Sequence, residues 1–284
     1  MTKGIVLIAF GELGYYYAAH NLALSIKSFN SKLPITLIHD GKIKEISTRH
    51  FNDLIELPKS LSMRNDPAEI KTGVYDLLPY DHNLYLDVDA VVLKDITPLL
   101  EDLSKKKGFY LTDVKGVGGK KDVINYSIWA TNEDIWEFGN LKDTAKLPAI
   151  QSSYAMIKKS KGCEKFFELV QSLYHKGFPM EKLTMRWGGT LPDELLFSTA
   201  CAKIGLNPQG GQPIFFGWQP VKITKEQIVE AYYLTAIYGN GRGATLVKKQ
   251  YLNWYDDLVR AYAKKVNDKA YAINYIMRDK HANG

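Results

Sequence analysis

Strand and helix patterns alternate along the first third of the chain, and this alternation most restricts its possible folds. Residues 5–10 form a continuous apolar run, which is typical of a strand buried on both faces. Residues 15–29 carry apolar side chains at helical spacing, and strand patterns follow at residues 35–38 and 54–57. Asp66-Pro67 predicts the start of a helix that runs to about residue 78, because proline is tolerated in a first helical turn. The later predictions are strands at residues 84–86, 109–112 and 150–157 and helices at residues 163–174 and 193–204.

This order of elements predicts an α/β fold with a mixed, mostly parallel sheet flanked by helices. In sheets of this type, ligands bind beyond the carboxyl ends of the strands. Three polar segments fall at predicted strand ends, namely Phe10-Gly11-Glu12, His39-Asp40 and Asp87-Val88-Asp89. We therefore expect these segments to converge on one crevice.

Asp87 and Asp89 are separated by one residue, directly after the apolar sequence Leu-Tyr-Leu. In an extended chain, residues i and i+2 point the same way, so two carboxylates placed side by side would repel each other. A divalent cation removes that repulsion, and oxygen ligands of this kind suit Mn²⁺ or Mg²⁺, which in turn bind diphosphates. A strand-end turn whose aspartates cap the next segment would explain the same residues without a metal.

The block from Lys71 to Asp89 (KTGVYDLLPYDHNLYLDVD) resembles the central block of GT-A glycosyltransferases. It is most similar to the family 8 type, which includes glycogenin and bacterial lipopolysaccharide galactosyltransferases. The resemblance extends over roughly residues 1–240 in element order. It implies a GT-A, Rossmann-like fold in which Asp87 and Asp89 hold the metal and touch the donor. It also implies that Lys71 faces the donor phosphates or sugar and that the donor is a UDP-sugar.

Two further segments are similar to motifs of this family. Gln151 begins a segment (QSSYAMI) that resembles a family strand in which an asparagine helps to hold the donor sugar. Asp193-Glu194 resembles the short motif that opens a helix under the sugar, which implies that Asp193 binds sugar hydroxyls and that Glu194 acts at the anomeric carbon. Acidic residues in a first helical turn are also favoured by the macrodipole alone. Trp187 and Gly188, in the preceding loop, are candidate acceptor contacts.

The chain departs from the family near its C-terminus, where members carry His-x-x-Gly-x-x-Lys-Pro-Trp. The best counterpart is the segment YGNGRG at residues 238–243, which has no histidine, so the third metal ligand is not identified. Arg242 in this segment is predicted to clamp the diphosphate.

Near the N-terminus, the resemblance implies that Phe10, Gly11, His39 and Asp40 lie in the region that binds the nucleotide. One of the tyrosines at positions 15–17 is a candidate ring for stacking on the base, and the glycine-rich loop at residues 116–121 suits either a lid or an exposed hairpin.

Positive charge is concentrated in the last part of the chain. The formal net charge is +6, and residues 241–284 contribute +5 of it, from nine basic and four acidic residues. We expect a transferase domain over residues 1–247 and a basic helical extension over residues 248–284, whose apolar stripe packs on the main domain. Such a concentration of positive charge indicates either a surface for a polyanion or a solvated helical face.

The two cysteines and the lack of an export signal predict a cytoplasmic protein, either bacterial or in the host cytoplasm of a virus. Both thiols are predicted to be packing residues.

The sequence therefore predicts a metal-dependent glycosyltransferase that uses a nucleotide-sugar donor. Its acceptor is a hydroxyl compound, with DNA carrying hydroxylated bases and an anionic glycolipid as the two polyanionic candidates. A sugar nucleotidyltransferase is the first alternative, although such enzymes carry a basic glycine-rich loop after the first strand and Gly11-Glu12-Leu13-Gly14 has no basic residue. A non-catalytic module that binds polyanions is the second alternative.

Overall fold

The computed structural model describes residues 1–62, 66–106, 110–113, 129–184, 191–206, 213–216, 223–236 and 246–272. In chain order these residues form β1 (Lys3–Ala9), α1 (Leu13–Phe29), β2 (Ile35–His39), β3 (Asp53–Glu56), α2 (Lys59–Ser62), α3 (Pro67–Thr72), β4 (His82–Leu86), β5 (Ala90–Val92), α4 (Thr97–Lys105), β6 (Tyr110–Asp113), α5 (Asn132–Gly139), β7 (Ile150–Lys158), α6 (Lys161–Lys176), α7 (Asp193–Ile204), β8 (Ile214–Phe216), α8 (Lys225–Ala231), β9 (Leu234–Ala236) and α9 (Leu246–Lys265). Short 3-10 helices occupy Lys42–Glu45, Val74–Leu77 and Met180–Lys182.

The chain divides into two compact units, and each is assembled from separate stretches of sequence. The first unit consists of Met1–Thr2, Ser60–Tyr85 and Leu103–Gln212. The second unit consists of Lys3–Lys59, Leu86–Asp102 and Pro213–Gly284.

The second unit contains strands β3, β2 and β1, which lie side by side in that order and run parallel. The register pairs Ile5 with Ile35, and both side chains are fully buried, as strands covered on both faces require. Ala9 pairs with His39, so the carboxyl ends of β1 and β2 lie at the same edge. A three-stranded sheet in this unit has the order β5-β9-β8, with β9 antiparallel to β5 and parallel to β8.

Helix α9 packs on the rest of the second unit through the apolar stripe predicted for the C-terminal extension. Leu252, Tyr255 and Val259 are buried against Val91 of β5. Tyr262 and Ala263 are buried against Leu24 of α1, and the Tyr262 hydroxyl donates to the Val92 carbonyl oxygen at 2.8 Å. Burying each large apolar side chain stabilises the fold by roughly 1.5–3 kcal/mol. Lys264 and Lys265 face solvent at the end of the helix, so the predicted orientation of stripe and lysines is confirmed.

The first unit contains strands β4, β7 and β6 in that order, with β6 antiparallel to β7. Helix α6 buries one face, which includes Cys163 and Phe166. The ring of Phe166 stacks on Phe197 of α7 with centroids 6.2 Å apart. Cys163 and Cys201 are both buried and free, as the sequence predicts.

The helix that begins after Asp66 is shorter than its pattern predicts. The Asp66 side chain accepts from the Ala68 amide at 2.9 Å and Pro67 lies in the first turn, so the predicted start is confirmed. The helix ends at Thr72 because Gly73 caps it, and a 3-10 helix follows over Val74–Leu77. Glycine is a weak helix former, and an added Cβ at Gly73 would lie 3.1 Å from Gln171 Nε2 and 3.2 Å from the Glu69 carbonyl oxygen.

The predicted α/β class, with a mixed and mostly parallel arrangement of strands flanked by helices, is confirmed. Among the helices within the described ranges, none combines the length and apolar character that spanning a bilayer requires.

Candidate functional site

The loops that follow β1 and β2 are joined through the carboxylate of Asp40. The Gly11 amide donates to Asp40 Oδ2 at 2.7 Å, and the Tyr16 hydroxyl donates to Asp40 Oδ1 in a short hydrogen bond. Gly11 has φ +73°, a left-handed conformation that favours glycine. The Lys42 ammonium donates to the Gly11 carbonyl oxygen. Asp40, predicted as a donor contact, therefore shapes the edge where β1 and β2 end.

Tyr16 completes this arrangement from inside α1. Its hydroxyl oxygen accepts from the amides of Asp40 at 3.1 Å and Lys42 at 3.2 Å. The same hydroxyl donates to the Asp40 carboxylate. The ring is fully buried, and burial, with Asp40 next to it, raises the pKa of this hydroxyl above its ordinary value. Tyr16 is therefore a structural residue that binds two loops to the helix.

Tyr15 is the exposed ring of the tyrosine cluster, with 46% of its surface accessible. It stacks on Phe10 with centroids 6.2 Å apart and an interplanar angle of 11°. Tyr17 is half-buried. Of the three tyrosines considered for base stacking, Tyr15 thus has the accessible ring and adjoins Phe10, another predicted donor contact.

His39, also predicted as a donor contact, lies buried at the end of β2. Its Nδ1 accepts from the Gly41 amide at 3.1 Å, and burial lowers the pKa of the ring below its ordinary value. The imidazole is therefore neutral near pH 7 and carries its proton on Nε2. This hydrogen bond fixes the turn at Asp40 and Gly41.

Asp87 and Asp89 lie in the turn between β4 and β5. Both side chains are half-buried, whereas Val88 between them is 6% exposed and packs inward. Both carboxylates are therefore more accessible than the residue between them, and their joint role in binding a metal stays a prediction. Two adjacent carboxylates at a strand end fit a hard divalent cation such as Mn²⁺ or Mg²⁺.

In the first unit, Lys71 and Asp193 form an ion pair. Lys71 Nζ lies 3.1 Å from Asp193 Oδ2 and 5.8 Å from the centroid of the Tyr85 ring. Lys71 belongs to the last turn of α3, and Asp193 opens α7. Two residues predicted for the donor site from separate motifs are thus in direct contact.

Glu194 is buried at the first turn of α7, with 7% of its surface exposed. Its Oε2 accepts from the indole Nε1 of Trp129 at 3.1 Å. The helix dipole also favours an acid in this turn. Burial and the indole donor hold the Glu194 carboxylate in a fixed position.

Trp129 contacts the candidate residue Glu194, and no sequence pattern reveals this contact. It precedes Thr131, which caps α5 by accepting from the Asp134 amide, and it belongs to none of the motifs that resemble the family. The one signal in the sequence is general: a buried tryptophan usually finds an acceptor for its N–H. Which acceptor it finds depends on tertiary contacts.

Gln151 lies near the start of β7, beside an irregularity in its pairing with β6. The register jumps from Leu111 opposite Ala155 to Thr112 opposite Gln151. Such bulges bend a strand and change the direction of its side chains. Gln151 Nε2 donates to Ser153 Oγ at 2.6 Å, so the amide is oriented by its own strand.

Four further predictions lie outside the described residues. They are the diphosphate clamp at Arg242, the acceptor contacts at Trp187 and Gly188, and the loop at residues 116–121.

No protein-family model and no curated protein sequence matches the chain, but its fold is similar to solved glycosyltransferase structures. The galactosyltransferase LgtC, solved with donor and acceptor sugar analogs, has a TM-score of 0.56 and 12% identity, over 92% of this chain and 96% of its own. Apo GlyE of Streptococcus pneumoniae TIGR4 has a TM-score of 0.55 and 16% identity, over 95% of this chain and 66% of its own. The bifunctional glycosyltransferase WbbM has a TM-score of 0.56 and 12% identity, over 92% of this chain and 50% of its own.

The chain thus spans nearly all of the LgtC chain, about two thirds of the GlyE chain and half of the WbbM chain. At these levels of identity the likeness establishes the fold. The predicted GT-A fold is confirmed.

Proposed function

We propose that this protein is a metal-dependent glycosyltransferase that moves a sugar from a UDP-sugar to a hydroxyl acceptor. The observation that carries the proposal is the pair Asp87 and Asp89 at the end of β4, in a chain with the glycosyltransferase fold. The likeness of fold supports the reaction class, and the acidic pair supports the metal and the donor.

Asp87 and Asp89 would hold Mn²⁺ or Mg²⁺ against the donor diphosphate. When bound, the ion would offset the negative charge that develops on the nucleoside-diphosphate leaving group. The nucleotide would be bound at the edge organised by Asp40, with the exposed Tyr15 ring stacking on the base beside Phe10.

The residues of the first unit would act on the sugar. Asp193 would accept hydrogen bonds from sugar hydroxyls while the Lys71 ammonium holds its carboxylate in place. Glu194 would present its carboxylate to the anomeric carbon, where positive charge develops as the glycosidic bond breaks. The Trp129 indole would fix the direction of that carboxylate.

A thermal-shift panel of nucleotide-sugars, with and without Mn²⁺, tests the donor and the metal together. A UDP-sugar at about 100 times its Kd is expected to raise Tm by several degrees, since ligand binding at that excess stabilises the folded state by about 2.7 kcal/mol. The shift should depend on Mn²⁺. No response to any nucleotide-sugar would favour a polyanion-binding module, and a response to nucleoside triphosphates with sugar 1-phosphates would favour a nucleotidyltransferase.

Replacing Glu194 by Gln is expected to lower kcat by about 100-fold, because the charge at the anomeric centre is lost. Replacing Trp129 by Phe removes one hydrogen bond to that carboxylate and should lower kcat roughly tenfold. The donor KM should change less than kcat in both variants. Steady-state kinetics on each purified variant provides the measurement.

Trp136 offers a matched control for Trp129. Its indole Nε1 donates to the Ala145 carbonyl oxygen at 2.9 Å, within the same unit. Trp136→Phe also removes one indole hydrogen bond, so kcat should stay within about twofold of the wild type. An equal loss of kcat in the Trp129 and Trp136 variants would show that Trp129 contributes only to packing.

We propose that the acceptor is a polyanion. DNA is the candidate tested first, and an anionic glycolipid is the second. In the described part of the C-terminal extension, Asp256 and Asp268 are buried and Asp257 pairs with Arg260 at 3.0 Å. The exposed cations therefore outnumber the exposed acids, and they are Arg260, Lys264, Lys265 and Lys269. Since Asp257 pairs with Arg260, the surface charge of this part of the extension comes mainly from the three lysines.

Salt titration of DNA binding tests this acceptor. The logarithm of the affinity should fall steeply with the logarithm of salt concentration, and changing Lys264, Lys265 and Lys269 to Gln should reduce that slope by about 0.9 for each phosphate that is no longer neutralised. Because α9 covers apolar residues, these charges are removed by substitution and not by truncation. The control changes the exposed Lys142, Lys146 and Lys159 of the first unit. Salt-insensitive binding would reject a polyanion, and preference for vesicles of anionic lipid would identify a glycolipid surface.

A further inference from the structure

A second group of chemically active side chains lies in the second unit, apart from the residues assigned above. His20 comes from the middle of α1, His50 from the turn before β3, and Asp268 from the segment after α9. One ligand atom from each lies within 4.8 Å of the others. The three residues are only 1%, 5% and 4% exposed. We propose that this His20–His50–Asp268 cluster is a Zn²⁺ site that fastens the segment after α9 to α1.

The protonation of His20 leaves a lone pair directed into the cluster. Its Nδ1 lies 2.9 Å from the Ser47 carbonyl oxygen, which can only accept, so Nδ1 carries the proton and Nε2 does not. Nε2 is buried with no hydrogen-bond partner and lies 3.4 Å from Asp268 Oδ2. Two acceptors that face each other away from water require a cation between them. A ring that donates one N–H to a backbone carbonyl and offers the other nitrogen is the common orientation of a metal ligand.

The charges of the cluster also suit a divalent cation. Burial lowers the pKa of both His20 and His50, so both rings are neutral near pH 7. Burial acts to raise the pKa of Asp268, but the Ala270 amide and His50 lower it more, and the carboxyl is ionised. The Ala270 amide donates to Asp268 Oδ1 at 2.6 Å. Asp268 Oδ2 accepts a short hydrogen bond from His50 Nε2 and faces His20. Without the ion, the His50 Nε2–H donates to Asp268; a bound ion would replace this contact, with the proton of His50 carried on Nδ1 instead. Two neutral imidazoles and one carboxylate would then face the ion with a net charge of −1.

The geometry of the pair His20 and Asp268 favours zinc over the ions expected at Asp87 and Asp89. Zinc binds imidazole and carboxylate at about 2.0–2.1 Å, so two ligands on a tetrahedron around it lie about 3.4 Å apart. His20 Nε2 and Asp268 Oδ2 have that spacing. His50 Nε2 lies in hydrogen-bonding contact with Oδ2 and would have to move away from it to become the third ligand. Magnesium prefers an octahedron of oxygen ligands. A water molecule would fill the fourth position.

Arg49 brings a positive charge close to Asp268, but it does not occupy this position. Its Nε lies 4.0 Å from Asp268 Oδ2, and its side chain is half exposed to solvent. Its two terminal nitrogens donate to the carbonyl oxygens of Val266 at 3.1 Å and Asn267 at 3.0 Å. Arg49 thus caps the end of α9 from outside the cluster.

A bound ion would join three segments that are distant in the sequence. The segment after α9 is already held to α1 by Asn21, whose side chain exchanges hydrogen bonds with the backbone of Ala272 at 2.6 and 3.3 Å. The ion would stabilise the folded state because its three ligands are brought together only there.

The test uses the full-length protein after chelation, followed by addition of Zn²⁺ alone. One equivalent should bind, and at about 100 times its Kd it should raise Tm by roughly 5–10 °C. Co²⁺ should give the strong visible absorption of a tetrahedral complex. Asp268→Asn and His20→Gln should weaken metal binding by about 100-fold or more. The exposed His175→Gln and the acidic-pair variant Asp89→Asn should retain it, which separates this site from the proposed donor metal.

Three results would overturn the proposal. The first is wild-type protein that binds no Zn²⁺ and gives no tetrahedral Co²⁺ spectrum, a measurement that stands even if the variants fail to fold. The second is an equal Zn²⁺ response in wild type and Asp268→Asn. The third is metal-free protein whose stability rises as pH falls through the histidine range and does not change with Zn²⁺, since a protonated imidazole would then be the cation.

Discussion

Replacing Asp89 by Asn is expected to lower metal-dependent sugar transfer by about 100- to 1000-fold, because the leaving diphosphate loses its main source of charge neutralisation. The substitution keeps the size of the side chain and removes one negative charge. It should also weaken Mn²⁺ binding in the presence of donor, so that more metal is needed for half-maximal rate. Transfer assays at increasing Mn²⁺ concentration provide both values.

Asp53 provides the control for this substitution. It is an exposed carboxylate at the start of β3, in the same unit as Asp89. Asp53→Asn also removes one negative charge and should leave rate and metal dependence unchanged. If Asp89→Asn turned over donor at the wild-type rate with the same dependence on Mn²⁺, the proposed role of the acidic pair would be wrong.

Replacing Asn83 by Leu is expected to destabilise the protein by about 3 kcal/mol, because buried polar groups lose their partners. Asn83 is fully buried in β4. Its Oδ1 accepts from the Tyr80 amide at 3.0 Å, and its Nδ2 donates to the carbonyl oxygens of Tyr80 at 2.6 Å and Ile157 at 3.2 Å. Leucine has a similar size but can satisfy none of these backbone groups. Urea unfolding, or a fall in Tm of roughly 6–10 °C, would report the loss.

Asn253 is a suitable comparison, since it is exposed on α9. Asn253→Leu should change the free energy of unfolding by less than about 0.5 kcal/mol, as surface substitutions usually do. A similarly small change for Asn83→Leu would contradict the assigned network. Because β4 leads directly into Asp87 and Asp89, the destabilised variant should also lose transfer activity at a lower temperature than the wild type.

Most of the fold follows from patterns that are local in the sequence. Strand β1 contains a continuous apolar run, β2 is rich in isoleucine and leucine, and α1 has helical spacing, so the sequence predicts each of them to within two residues of its observed ends. The short strands β5, β8 and β9 have three residues each. A three-residue apolar segment has too little periodicity to be told from a loop or a helix end.

In the candidate site, too, the local motif can be predicted from the sequence and the contacts between distant residues cannot. Asp87 and Asp89 can be recognised because both members of the pair stand in one short motif. Lys71 with Asp193 and Trp129 with Glu194 are contacts between distant parts of the sequence, and no spacing rule connects their members. Asp40 is predicted as a ligand contact, but the sequence alone does not show that Gly11 and Tyr16 occupy its carboxylate.

The division of the second unit between the two ends of the chain has a consequence for synthesis in the cell. Leu24 on α1 is covered by Tyr262 and Ala263 of α9, which the ribosome makes more than 200 residues later. At 5–20 residues per second, the apolar face of α1 would wait roughly 12–48 s for its cover. During that interval the apolar face of α1 is exposed on the nascent chain, and transiently exposed hydrophobic surface favours aggregation.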